Sequence, residues 1–226
     1  MAISLASELA YSLNTSGSTL SGTFQPSGTG LALIVSGYCA DGGSLTGLKF
    51  AGTALTRIQT NIVASDERVE LWYLSDPPTS KGTLNGTWSL ANLDKAFEIA
   101  CYNGVDPTIF DVTAGGTKSG SVVNGTITTL TDNSWVIFTH TKNDISQTMS
   151  SATGWNERLD SDSPNVFSMF YADNGPISSA GLITYVGTNT SIGMTGRYAW
   201  SMVALVPTIV GAVTIPTYRN LSGVGL

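Results

Sequence analysis

Apolar and polar residues alternate with a period of two along nearly the whole chain, and no convincing helical period persists. That pattern admits half-buried strands and argues against a helical core. In Arg68-Val69-Glu70-Leu71-Trp72-Tyr73-Leu74, residues Val69, Leu71 and Tyr73 face one way and Glu70 and Trp72 the other. Asp76-Pro77-Pro78 ends that run, because proline donates nothing to a ladder. Residues 31–35 are continuously apolar, as in a strand covered on both faces. Residues 47–56 read as a hairpin about Ala51-Gly52, and Asn124-Gly125 within 122–127 predicts a second hairpin turn. Phe97, Ile99 and Cys101 share the core face of another strand, and further strands fall at 83–90, 135–140, 166–171, 182–186 and 198–206. Only 7–13 has room for a helical turn or two.

Many short strands separated by Gly, Ser, Asn and Asp clusters predict an all-β protein: an antiparallel β-sandwich or jelly roll with extended N- and C-terminal segments. No fixed-period repeat and no dividing linker shows in the sequence. The expected organisation is one sandwich domain over 1–207, with 1–18 as an N-terminal arm. Residues 208–226 would be an extended C-terminal arm or an added edge strand. Ile209, Val210, Val213, Ile215 and Tyr218 are poor choices for a free tail in water, which suits an arm that binds a neighbouring subunit by strand addition.

Charge narrows the partners. The net charge is -6, and the 10 Lys and Arg residues form no cluster, so the counterion-displacing stripe of a nucleic-acid binder is missing. No apolar run approaches the roughly 20 residues of a membrane helix. Met1-Ala2-Ile3-Ser4-Leu5 has neither the basic start nor the apolar centre of a secretory signal. An extracellular-looking β protein without that signal fits a fragment of a longer chain, a protein leaving by an unusual secretion route, or a virion component made in the host cytoplasm and released by lysis.

The chemistry-bearing residues are few. Cys39 and Cys101 either form one bridge or are two buried free thiols, and two cysteines in a chain this long favour the thiols. With a single histidine, His140, no zinc site of ordinary composition assembles, and no cofactor is expected. His140 ends an apolar strand and reads as structural or solvent-facing rather than as a general base. Neither a nucleophile elbow nor a phosphate loop occurs. Glu70 and Glu98 each stand alone on a strand and read as solvated carboxylates rather than the facing pair of a glycosidase. Asp160-Ser161-Asp162-Ser163-Pro164-Asn165 reads as a turn, with calcium binding the lesser reading. Trp135 and Trp200 read as core. Loop-borne Trp155, and Trp72 on the face opposite Leu71, are the candidate platforms for a glycan or a protein interface.

The Gly-hinged hairpin of 47–56, the strand Val69-Glu70-Leu71-Trp72-Tyr73-Leu74, Tyr102-Asn103-Gly104-Val105-Asp106 and the strand 200–207 together resemble phage and bacterial concanavalin-like or jelly-roll β-sandwich proteins. The resemblance implies a non-enzymatic virion subunit, a capsid decoration protein or a tail component, and carries over no catalytic residue. Expected partners are the major capsid protein or other virion subunits and further copies of the chain. The alternative is a lectin-like carbohydrate-binding module on a tail or a cell-surface adhesin.

Overall fold

A computed structural model describes residues 2–14, 17–40, 42–62, 68–142, 149–150, 152–162, 168–189 and 197–208. The first half holds β1 (Ser4–Asn14), β2 (Thr19–Phe24), β3 (Ala32–Cys39), β4 (Leu45–Phe50), β5 (Thr53–Ala54), β6 (Thr56–Ile62), β7 (Arg68–Ser75), β8 (Gly82–Trp88) and β9 (Asp94–Asn103). The second holds β10 (Val105–Ser119), β11 (Val122–Thr128), β12 (Ser134–Lys142), β13 (Met149–Ser150), β14 (Asn156–Asp162), β15 (Ser168–Ile177), β16 (Leu182–Asn189) and β17 (Arg197–Pro207). Every strand pairing is antiparallel, so the all-β, sandwich-type architecture stands as expected.

The strands form two sandwiches of the same topology. In the first, the sheet β1-β9-β3-β7-β6 faces the sheet β2-β8-β4-β5. In the second, β10-β17-β12-β15-β14 faces β11-β16-β13. Replacing each strand of the first half by its counterpart reproduces the second order, apart from the short β5. This repeat runs against the sequence reading that saw none. Register confirms the equivalence: Ile34 pairs with Ala100, and Ile137 with Val203, roughly a hundred residues on.

The two larger sheets pack against each other, so each is covered on both faces. Leu33, Val35 and Phe97 point into the first sandwich's core, and Val136, Phe138 and Trp200 into the second's. Ile34, Leu71 and Ala100 point the other way and meet their own counterparts Ile137, Tyr171 and Val203 in one shared cluster. Like face therefore lies on like face, as in an isologous dimer. This double covering is why β3 and β12 are buried along their whole length and β9 along all but Asn103, and why residues 31–35 read as a continuous apolar run.

Three local expectations change. Residues 7–13 belong to β1, an edge strand paired along β9, so the helical turn is absent and much of the expected N-terminal arm is sheet. Asn124-Gly125 is no turn, because β11 runs straight through it beside β16. Gly125 is needed there for clearance, since a Cβ would sit 2.8 Å from the Trp200 ring. Asp160 and Asp162 lie in β14, and Asp160 Oδ2 accepts from the Met149 amide at 2.8 Å. Residues 163–165 of that run lie outside the described residues.

Candidate functional site

Glu70 and Trp72 share the face of β7 that looks into the first sandwich. Glu70 is 1% exposed, not solvated as its isolation in the sequence suggested. One of its oxygens accepts from the Leu45 amide and the other from the Trp72 indole, each at 3.2 Å. Arg57 and Arg68 approach it at 3.6 and 3.5 Å. Burial pushes the Glu70 carboxyl above its usual range, against the pull of both guanidiniums and both N–H groups. Arg57 also lies over the Trp72 ring, 5.6 Å from its centroid. Trp72, buried and capped in this way, offers no open ring for a sugar.

Trp155 is likewise a core residue. It is 7% exposed, its indole donates to the Thr184 carbonyl, and its ring meets Tyr185 edge-on at 5.2 Å. The loop placed in the sequence folds its tryptophan inward because β12, β15 and β16 leave an aromatic-lined space beneath it. Trp155→Ala is expected to destabilise the protein by about 3–5 kcal/mol, measured by urea unfolding. A stability change below about 1 kcal/mol with a loss of glycan binding would restore the platform reading.

His140 stands in the same core, 1% exposed, its ring stacked on Phe170 at 5.4 Å. Neither ring nitrogen has a hydrogen-bond partner among the described residues. Burial, reinforced by the nearby Lys142 charge, lowers its pKa to about 3. The imidazole is thus neutral throughout the physiological range and reaches no acceptor or nucleophile among the described residues. Cys39 and Cys101 are buried and not bridged, and burial pushes the Cys101 thiol up to about 12, so the reading as two buried thiols holds.

A polar network that sequence reading missed crosses the joint between the sandwiches. Asp173 of β15 is fully buried and binds Arg158 with both oxygens, at 2.9 and 3.1 Å. It also accepts from the Asn156 amide at 3.1 Å and from the Tyr102 hydroxyl at 3.0 Å. Tyr102 lies 3.0 Å from the Tyr171 hydroxyl, so the chain of bonds joins the two halves. Glu98, expected in water, is 2% exposed beside this network. The only sequence hint was Asp173 in a run of otherwise apolar and aromatic residues after Met169.

The outer face of β11 and β16 differs in kind. Leu182, Val186 and Val122 are 69%, 50% and 46% exposed, separated by exposed Thr126, Thr128, Thr184 and Thr188. Val123 pairs with Gly187 as Leu20 pairs with Gly86, which fixes the equivalent positions in the first half. There Lys81, Asn85 and Thr19 occupy the places of Leu182, Val186 and Val122. The same face of the same repeat is polar in the first half and carries three exposed aliphatic side chains among its threonines in the second. Nothing in the sequence marks these positions, because strand alternation alone does not say which face is wet.

Ile209, Val210, Val213, Ile215 and Tyr218 lie outside the described residues. Among the described residues no three His, Cys, Asp or Glu side chains gather as a metal site. No protein-family model, no curated protein and no solved structure matches the chain.

Proposed function

We propose that the chain is a non-enzymatic structural subunit of a bacteriophage particle, a decoration protein seated on the head lattice. The observation that carries the reading is the outer face of β11 and β16, where Leu182, Val186 and Val122 stand exposed among threonines and the other repeat has Lys81, Asn85 and Thr19. A subunit that must stand in solvent on one side and rest on a neighbour on the other has a use for that asymmetry. The chain's buried histidine, carboxylates and thiols meanwhile serve packing and internal bonding. In this reading the occupant is the protein surface of the capsid lattice, with aliphatic side chains and hydroxyls to match those of the face it meets.

Two strands about 4.8 Å apart and about 24 Å long span no more than a few hundred Å². A stable interface needs roughly 800 Å² per partner. The remaining contact would come from the 208–226 arm, and repetition on a symmetric lattice would add avidity.

The test is quantitative peptide mass spectrometry on particles from the phage encoding the chain, wild-type and Leu182→Lys/Val186→Lys. A wild-type ratio to the major capsid protein within a few-fold of one is expected, with the folded double variant lost from the particle. A handful of copies moves the protein to the tail, and absence from the particle overturns the proposal.

A further inference from the structure

The joint between the sandwiches is apolar at both ends and polar in the middle. One apolar cluster centres on Ile34 and Ile137, the other on Val69 and Met169. Between them Ser36 pairs with Glu98 across β3 and β9, and Thr139 pairs with Ser201 across β12 and β17. Ser36, Thr139 and Ser201 are fully buried. Glu98 Oε2, Ser36 Oγ and Thr139 Oγ1 have no hydrogen-bond partner among the described residues. Buried oxygens without partners are rare, and a carboxylate so placed is the costliest of them.

The groups around Glu98 come from every neighbouring element. Tyr38 of β3 bonds its carboxyl, and Glu8 of β1 and Tyr171 and Asp173 of β15 stand close enough to act on it. On the joint-facing sides of β12 and β17 stand the hydroxyls of Thr139, Thr141 and Ser201, and on β9 itself Ala96 and Ala100 flank Glu98 on its face, with Asp94 and Tyr102 beyond them. The guanidinium at this belt, Arg158 of β14, is held by Asp173 and lies 4.0 Å from Glu8. The charged groups that act on Glu98 are therefore carboxylates. The equivalent residue in the second sandwich is Ser201, so this acid occurs once, not twice.

We infer that Glu98 holds a proton in the folded protein, and that this proton clasps the two sandwiches together. As a neutral acid, Glu98 can donate to the Tyr38 hydroxyl, whose own proton goes across the joint to the Phe170 carbonyl of β15 at 3.4 Å. Ionised, it is an unpaired charge among acids in the seam. Burial first, and the Glu8 and Asp173 charges after it, push its carboxyl well above the usual range, against the pull of the Tyr38 hydroxyl. The sign follows. The unfolded chain releases this proton near the ordinary value of about 4.3, whereas the folded chain keeps it. Above that value the folded state carries one more proton, so the folding constant falls about tenfold per pH unit until the folded group itself ionises. Acid tightens the joint and alkali loosens it.

The experiment is urea unfolding of the full chain between about pH 5 and about pH 9, wild-type against Glu98→Gln, which keeps the shape and removes the titration. The wild type is expected to lose about tenfold more of its folding constant per pH unit than the variant. Parallel pH profiles overturn the inference. A second measurement needs no variant: carbon NMR of carboxyl-labelled glutamate at neutral pH. The side chains of Glu8, Glu67, Glu70, Glu98 and Glu157 would be assigned through bonds to their own backbones. The Glu98 signal is expected at the protonated position, and a carboxylate signal there overturns the inference.

Discussion

Phe138→Ala is expected to cost about 3–5 kcal/mol of stability, a large part of the roughly 5–15 kcal/mol a domain possesses. The Phe138 ring is stacked on Tyr185, centroids 4.0 Å apart and planes within 8°. Trp200, Trp155 and Phe170 surround it at 6.3, 6.2 and 6.5 Å. Truncation removes the shared contact of all four rings. The site cannot collapse to fill the space, because β12 is held by β15 on one side and β17 on the other. The urea midpoint should fall with the slope unchanged. A loss under about 1 kcal/mol would show that the aromatic core is looser than these distances imply.

Asp173→Ala should be comparably damaging, about 3–5 kcal/mol, although no apolar contact of note is lost. The substitution strands Arg158, Asn156 and the Tyr102 hydroxyl inside or at the edge of the joint. Removing one partner of a buried pair leaves the other charge uncompensated, which costs more than the pair contributed. Asp173→Asn, which keeps an acceptor but not the charge, should fall between the wild type and the alanine variant. Equal unfolding curves for Asp173→Ala and wild type would mean that Arg158 finds water or Glu8 instead.

Strand positions and the faces of β7 and β9 were legible in the sequence because alternation is a backbone property, indifferent to what covers the strand. The duplication was not, because packing in a doubly covered sheet fixes volume rather than identity. Val35 and Trp72 are cross-strand partners in the first half, and their counterparts are Phe138 and Ala172. A small and a large residue have exchanged strands across one pair, which leaves the core filled and the sequence similarity erased. What survived is short: Ser16-Gly17-Ser18 with Gly22-Thr23, against Ser119-Gly120-Ser121 with Gly125-Thr126. Gly86 and Gly187 survived as well, since a Cβ at either would come within 2.6 Å of Trp88 or Tyr185.

The candidate residues fared unevenly for a related reason. An exposed tryptophan and a buried one look identical in a list, and Trp72 and Trp155 are both buried. Glu70 and Glu98 looked solvated because charged residues are rarely fully buried unless paired. Glu70 has its two arginines, one from its own strand and one from β6. The neighbours of Glu98 come from β1, β3 and β15, which no reading of local spacing could bring together.

The like-on-like joint has a consequence for synthesis. β9 ends at Asn103, so the first sandwich is complete while everything that covers its inner sheet is still to be made. At about 5–20 residues per second, the second half takes about 5–20 s to follow. For that interval Ile34, Leu71 and Ala100 present to solvent a surface shaped to fit a near-copy of itself. The first half emerging from the next ribosome on the same message is such a near-copy. Crowded polysomes would therefore favour mispaired nascent chains, whereas sparse initiation gives each chain time to close on its own second half.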